Sequence, residues 1–422
     1  MSNLEYWIWF SSLYRLSFRT RRALLERYGT AKEIFFAEPR ELKRIDGITA
    51  EELDALSGHD LSDAAKTVRR CGELDVRIIT IQDAVYPERL RNIPDPPSVL
   101  YVKGRLPAVD AEAVVAVVGT RKSTPYGDKL ARSIAYEIVS KGGIICTGLA
   151  GGIDSRAAEG ALMAGGPVIG VLGVAINHVY PSGNARLYED VQATGALVSE
   201  YPPDANGSAA WFPRRNRIMA GLSVGAVVVE APLRSGALIT ARRALDYGRD
   251  VFAVPGNTDA PNSRGCNQLL REGASIAENG WDVLREYEVR FPGRIMKEGK
   301  GEIPEELAVP EENRAAERRE KEPPEIQKGK GFFKFRVRAR KPAGESVPEE
   351  RNSLLEEQLK DLSEDQLKII GAMEKKHMHV DDIVDLSRLP AATVLSELTM
   401  LQIKGVVSQE PGKRFTLNIQ SK

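Results

Sequence analysis

Two stretches, VVAVVGTRKSTPYG (residues 114–127) and IICTGLAGGID (residues 144–154), decide the fold. Each opens on a short, continuously apolar run and breaks into a turn bearing glycine. Helical patterns follow, Asp128–Ser140 after the first and Ser155–Ala164 after the second. A strand covered on both faces needs that unbroken apolarity, as in a parallel sheet. The same rhythm continues through Val168–Leu172, Leu197–Ser199, Val224–Val229 and Val251–Val254, with helical patterns at Ala185–Thr194 and Leu238–Tyr247 between them. The repeat of roughly 25 to 30 residues is the length of a βα unit. Residues 81–290 are therefore expected to form a doubly wound α/β domain with its ligand site at the carboxyl ends of the strands.

The turns at those ends carry the candidate chemistry. Gly119-Thr120-Arg121-Lys122-Ser123 follows the first run. Gly148, Gly151, Gly152 and Asp154 follow the second, Ser235-Gly236 follows the run ending at Val229, and Pro255-Gly256 follows the last. A strand–glycine turn–helix unit aims backbone N–H groups and a helix dipole at one spot, which attracts phosphate. Glycine lets an anion approach the backbone. A turn of this kind also simply closes an α/β unit, but several on one edge, with Arg121 and Lys122 inside one, favour a phosphate-bearing ligand. Arg214, Arg215, Asn216 and Arg217 add three guanidiniums at a helix start, and guanidinium forks suit phosphate oxygens. Asp154 reads as a helix N-cap or as a carboxylate that orients a ligand. There is no G-x-G-x-x-G, no G-x-x-x-x-G-K-[ST] and no G-x-S-x-G. Nicotinamide binding, a P-loop and a hydrolase elbow thus lack their fingerprints. His178 has no evident nucleophile beside it and reads as a loop or core residue.

Outward from this domain, residues 1–80 read as a self-contained helical domain. Within it LKRIDGIT (residues 42–49) has the pattern of a helix-hairpin-helix turn or of a plain interhelical turn. Residues 291–355 read as a charged flexible linker. Its segment KGKGFFKFRVRARK (residues 328–341) interleaves phenylalanine with basic residues, which suits either a solvated tether or a grip on single-stranded nucleic acid. Residues 356–422 read as a winged helix. Ser363 and Gln366 form a capping box, Pro390 opens a third helix and Gly405 closes it, and a hairpin wing follows. From Ser353 to the end, nine Lys and Arg face eleven Asp and Glu, so the winged helix favours a protein contact or a weak DNA role over sequence-specific operator binding.

Composition bounds the rest. The chain of 422 residues has 59 basic and 59 acidic side chains and is 42% apolar. That excludes a disordered or polybasic chain but not a local basic patch. Cys71, Cys146 and Cys266 are odd in number and far apart, which fits a reducing compartment. With His59, His178, His377 and His379 as the histidines, no metal site is expected. Neither a signal peptide nor a membrane span is expected, and a soluble cytoplasmic protein is the reading.

In order, VVGTRKSTPYG, TGLAGGID, VYPSGNARL, SEYPP, FPRRNRIMAGLS, VVVEAPLRSGALITARRA and FAVPG closely resemble the DNA-processing protein family called DprA or Smf. The resemblance implies an extended Rossmann-like parallel sheet flanked by a helical N-terminal domain and a C-terminal winged helix. It implies a non-enzymatic protein of natural transformation and recombination, without a cofactor. Such a protein binds single-stranded DNA, protects it, forms a homodimer and loads RecA recombinase. Arg121, Arg214, Arg215 and Arg217 would then meet phosphates. Gly119, Thr120, Ser123, Gly148, Gly152, Ser235 and Gly236 would shape the pocket, and Asn216 would hold its loop. Ala158 stands where the family has a histidine. The rival is a nucleotide phosphoribohydrolase-like enzyme with Glu230 as its carboxylate. Pro232-Leu233-Arg234-Ser235-Gly236-Ala237 departs from that family's P-G-G-x-G-T. A transcription factor acting through the winged helix is the third reading.

Overall fold

A computed structural model describes residues 3–299, 304, 307, 363–373, 378–403, 406–410 and 414–417. The segment 328–341 lies outside the described residues. Contacts divide the chain into Met1–Pro323 and Pro324–Lys422, taken here one at a time.

The first unit begins with six helices, α1 (Asn3–Ser12), α2 (Phe18–Tyr28), α3 (Ala31–Phe35), α4 (Pro39–Leu42), α5 (Ala50–Ser57) and α6 (Ser62–Glu73). The next elements are β1 (Arg77–Thr80), α7 (Glu88–Arg91), β2 (Val99–Gly104), β3 (Val114–Val118), α8 (Pro125–Ser140) and β4 (Ile144–Thr147). Then come α9 (Ile153–Met163), β5 (Val168–Leu172), α10 (Ala185–Thr194), β6 (Ala196–Ser199), α11 (Trp211–Leu222) and β7 (Gly225–Val228). The unit ends with α12 (Ala237–Asp246), β8 (Asp250–Ala253), α13 (Arg264–Arg271), β9 (Ser275–Ile276) and α14 (Gly280–Leu284).

The strands form one nine-stranded sheet in the order β1-β2-β6-β5-β4-β3-β7-β8-β9. Pairing is parallel from β6 to β9 and antiparallel for β1 with β2 and β2 with β6. The alternation of a strand divides the core in two. Val115 and Val117 face one layer with α8 and α9, whereas Val114, Ala116 and Val118 face the other with α11 and α12.

The expected parallel sheet is present, with β1 and β2 added antiparallel at one edge. One expectation is corrected: the N-terminal helices are not self-contained. Trp7, Phe10 and Leu24 share one core with Val99, Tyr101 and Val115, and β1 falls within residues 1–80 but belongs to the sheet. Glu52 fixes the helical end from inside. It caps α5 through Thr49 and accepts from Ser17 N–H (2.9 Å) and the Thr20 hydroxyl (2.8 Å). Burial would raise this carboxyl, but those hydrogen bonds outweigh it and hold it at about 2. The interhelical turn at residues 42–49 joins α4 to α5 with Gly47 at φ 78°. The three cysteines are buried and free, and burial pushes Cys146 and Cys266 up to about 12.

In the second unit α15 (Glu364–Ala372), α16 (Val380–Ser387) and α17 (Ala391–Ile403) pack around Ile369, Ile383, Val394 and Leu398. The strands β10 (Met378–His379), β11 (Val407–Glu410) and β12 (Arg414–Leu417) complete a winged helix. The capping box at Ser363 and Gln366 is formed. Glu397 on α17 accepts from Gln366 at 2.6 Å, so its charge is engaged within the domain.

Candidate nucleic-acid interface

The chain runs from β3 outward through β4, β5 and β6 on one side, then returns to place β7 and β8 on the other. The turns after β3 and β7 therefore diverge, which leaves a crevice at the carboxyl edge. A cleft of about 550 Å³ opens there. It gathers Gly119, Thr120, Arg121, Asp154, Arg215, Asn216, Ser235 and Gly236. Lys122, Ser123, Gly148, Gly151, Gly152, Arg214 and Arg217 are outside its lining.

The glycine turns do something other than expected. The backbone amides of Ala150, Gly119 and Gly148 surround the buried Asp154 carboxyl and favour its charged form. Asp154 lies inside the first turn of α9 and is not its N-cap. Gly152 takes that place at φ 75°, and a Cβ there would strike the backbone of Thr120 and Arg121. Burial pushes the Asp154 carboxyl up to about 6, against the pull of Arg215 and the three amides. Arg215 lies beneath, 4% exposed, and donates to the carbonyls of Gly148 (2.9 Å) and Val171. A Cβ at Gly148 would strike its guanidinium. Arg215 Nε reaches Asn216 Oδ1 at 3.3 Å, and Asn216 Nδ2 reaches the Gly236 carbonyl at 3.2 Å. These bonds tie together the ends of β4 and β5, α11 and the start of α12.

Arg217 and Arg214 face elsewhere. Spaced three apart on α11, they share a face that Arg215 does not. Arg217 is 5% exposed and pairs with Glu200 (2.6 Å) and Asp95 (3.2 Å). Arg214 lies 3.5 Å from the same Glu200. Burial would raise Glu200, but Arg217, Arg214 and Arg21 outweigh it and hold its carboxyl below the ordinary range. The expectation of three phosphate-binding arginines on this helix is thus corrected: Arg215 and Arg217 are buried supports.

The exposed cation of the cleft is Arg121. Its guanidinium lies 5.0 Å from the Phe212 ring centre and 5.8 Å from that of Tyr180, and the two rings are 5.0 Å apart. Arg234, also exposed, lines the opposite wall with the start of α12. Thr240, within α12, lines the cleft with a buried hydroxyl that has no partner among the described residues. Lys122 and Ser123 flank the β3 turn, where Ser123 donates to Asp128. Residue-by-residue reading missed Tyr180, Phe212, Arg234 and Thr240. Their signal sat inside VYPSGNARL, FPRRNRIMAGLS and the run from Val227, where the basic residues drew attention first.

Glu230 is 3% exposed, and its carboxylate accepts from the Thr124 amide (2.9 Å) and hydroxyl (2.5 Å) at the start of α8. It serves that helix rather than the cleft. Ala158 is fully buried in the core of α9. His178 is an exposed loop residue. Among the described residues no His, Cys, Asp and Glu group is placed to hold a metal ion, and no helix is long and apolar enough to cross a membrane.

A family model described as DNA recombination-mediator protein A matches residues 77–288, and one described as the DprA winged helix domain matches residues 354–413. Protein Smf of Synechocystis sp. is 31% identical over 421 residues, 98% of this chain and 99% of that protein. The DNA processing protein DprA of Bacillus subtilis is 38% identical over 218 residues, 52% of this chain and 73% of its own length. The X-ray structure of DprA from Streptococcus pneumoniae matches with a TM-score of 0.60 at 33% identity, over 68% of this chain and 98% of that one.

Proposed function

We propose that this chain, which belongs to the DNA recombination-mediator protein A family, binds single-stranded DNA in the carboxyl-edge cleft and passes it to a RecA-type recombinase. One observation carries the reading: Arg121 lies against two aromatic rings while its charge stays open to solvent. Phosphates are neutralised by the side chains of Arg121 and Arg234 and by the positive end of α12. Bases stack on Phe212 and Tyr180. Stacking accepts any base because every base has a π-face, so binding is sequence-tolerant. A duplex keeps its faces stacked and cannot use those rings, which gives the preference for single strands. Asp154, Arg215, Asn216 and the glycine turns hold the cleft in shape.

The mediator role without a reaction is supported by Glu230, whose carboxylate is engaged by Thr124 rather than turned into the cleft. A homodimer, RecA as partner and a cytoplasmic setting belong to the same proposal. Fluorescence anisotropy of a labelled oligothymidylate and a duplex of equal length, across a salt series, tests it. Wild type is expected to prefer the single strand with steep salt dependence, and Arg121→Ala/Arg234→Ala to lose most of that affinity. Equal binding of both DNAs, or a double variant that binds unchanged, overturns the proposal.

A further inference from the structure

The opposite, amino edge of the sheet carries a second concentration of guanidiniums. Arg89 lies on α7, Arg249 directly precedes β8, and Arg290 follows α14. Three contacts draw them together. Arg249 Nη2 donates to the Arg89 carbonyl at 3.3 Å. Arg89 and Arg290 both lie against the Phe291 ring, at 5.9 and 5.5 Å from its centre.

Their charges are only partly balanced, by Asp110. Among the described residues none of the three makes an ion pair. Asp110 accepts the amides of Glu88 (2.7 Å) and Arg89 (2.8 Å), and Asp250 accepts the Tyr287 hydroxyl (2.7 Å). Arg89 spends its own donors on the carbonyls of Leu222 and Glu112. Arg249 keeps a buried Nε with no partner. Burial lowers Arg89 to about 10 against the pull of Asp110, with Arg290 and Arg249 adding smaller shifts in the same direction as burial. Arg249 is lowered by burial and by Arg290. Like charges held this close disfavour one another unless an anion joins them.

We propose that Arg249 and Arg290, braced by Arg89 and Phe291, form a phosphate-binding site at the amino edge, separate from the carboxyl-edge cleft. A tetrahedral oxyanion fits: guanidinium forks donate to phosphate oxygens in pairs, and Arg290 is exposed and Arg249 half-buried at this edge. The phosphate comes either from a polynucleotide backbone or from a free phosphate. The site rests on the three arginines alone and stands whether or not the cleft binds DNA.

The test uses the full chain with Arg249→Gln/Arg290→Gln and, as control, Arg121→Ala/Arg234→Ala. Inorganic phosphate is titrated at constant ionic strength, with the melting temperature as readout. Wild type and the cleft variant are expected to rise in parallel, while the amino-edge variant needs about tenfold more phosphate for the same rise. An equal rise in all three proteins, or none in wild type, overturns the site. A second arm measures binding of labelled oligothymidylates of short and long length. Loss of affinity in the amino-edge variant for the long strand alone assigns the site to a polynucleotide. Unchanged affinity for both, with the phosphate response lost, assigns it to a free phosphate. If the cleft variant binds oligothymidylate as wild type does, the cleft reading fails while the amino-edge site stands on its phosphate response.

Discussion

Arg121 and Arg217 are the same residue type and belong to the same carboxyl-edge construction, yet they do opposite work. Arg217 is enclosed between Glu200 and Asp95 and fixes α11 against the rest of the unit. Among the described residues Arg121 pairs with no carboxylate, and it lies against Tyr180 and Phe212 with its charge in solvent. The difference teaches that an arginine's role follows from what balances its charge. An arginine paired inside the protein holds the protein, and one left unbalanced at a cleft is free for a ligand.

The comparison breaks most sharply at Arg217. Arg217→Ala leaves Glu200 and Asp95 without their main cation, and breaking a buried pair costs about 3–5 kcal/mol. Urea unfolding is expected to show that loss. An Arg217→Ala protein of wild-type stability with reduced DNA affinity would put Arg217 among the ligand contacts instead. Arg121→Ala is the mirror experiment. It is expected to leave stability within about 0.5 kcal/mol, to cost DNA binding about 1.5–3 kcal/mol and to lower the salt slope by about 1. Phe212→Leu keeps the bulk but removes the stacking face. It is expected to weaken single-strand binding by about 1 kcal/mol without altering the salt slope, which separates stacking from charge.

Two buried carboxylates sharpen the same contrast through pH. Glu52 titrates near 4.5 when unfolded and at about 2 when folded. Between those values the unfolded chain binds more protons, so its contribution is complete above about pH 4.5 and is lost as pH falls towards 2. Urea titrations down that limb should show a flatter slope for Glu52→Gln. Asp154 runs the other way, from 3.8 unfolded to about 6 folded. Between those values the folded chain binds more protons, so its contribution weakens as pH rises through that window. Because Asp154 lines the cleft, single-strand affinity should also rise modestly as pH falls below 6, and Asp154→Asn should flatten the dependence. An unaltered pH profile in that variant would remove Asp154 from the cleft's electrostatics.

Sequence carried the centre of the molecule well and its margins poorly. β3, β4 and β5 match their apolar runs because burial on both faces leaves no polar positions to blur the ends. β1, β2 and β9 were not read. β1 has four residues and β9 two, and the antiparallel return of β2 depends on β6, far along the chain. The site divides the same way. The glycine turns and Arg121 were legible from local order. The fate of Arg217 was not, because Asp95 and Glu200 lie in other segments and only the fold delivers them. Tyr180 and Phe212 likewise belong to a loop and a helix that meet only in three dimensions. The spacing of Arg214 and Arg217 did hold the clue that they share a helical face apart from Arg215.

The nest of amides around Asp154 has a consequence for selectivity among the solutes of a cell. In many α/β proteins such a nest is where a mononucleotide docks, and the abundant triphosphates compete for it. Here the protein's own buried Asp154 carboxyl stands among those amides. A small nucleotide loses its best foothold and gains only a stacking surface and an exposed cation. A strand, by contrast, adds many modest contacts along its length, and its reward grows with each unit it lays down. Under the proposed function, the feature filters by polymer length and favours a long chain amid a pool of monomers.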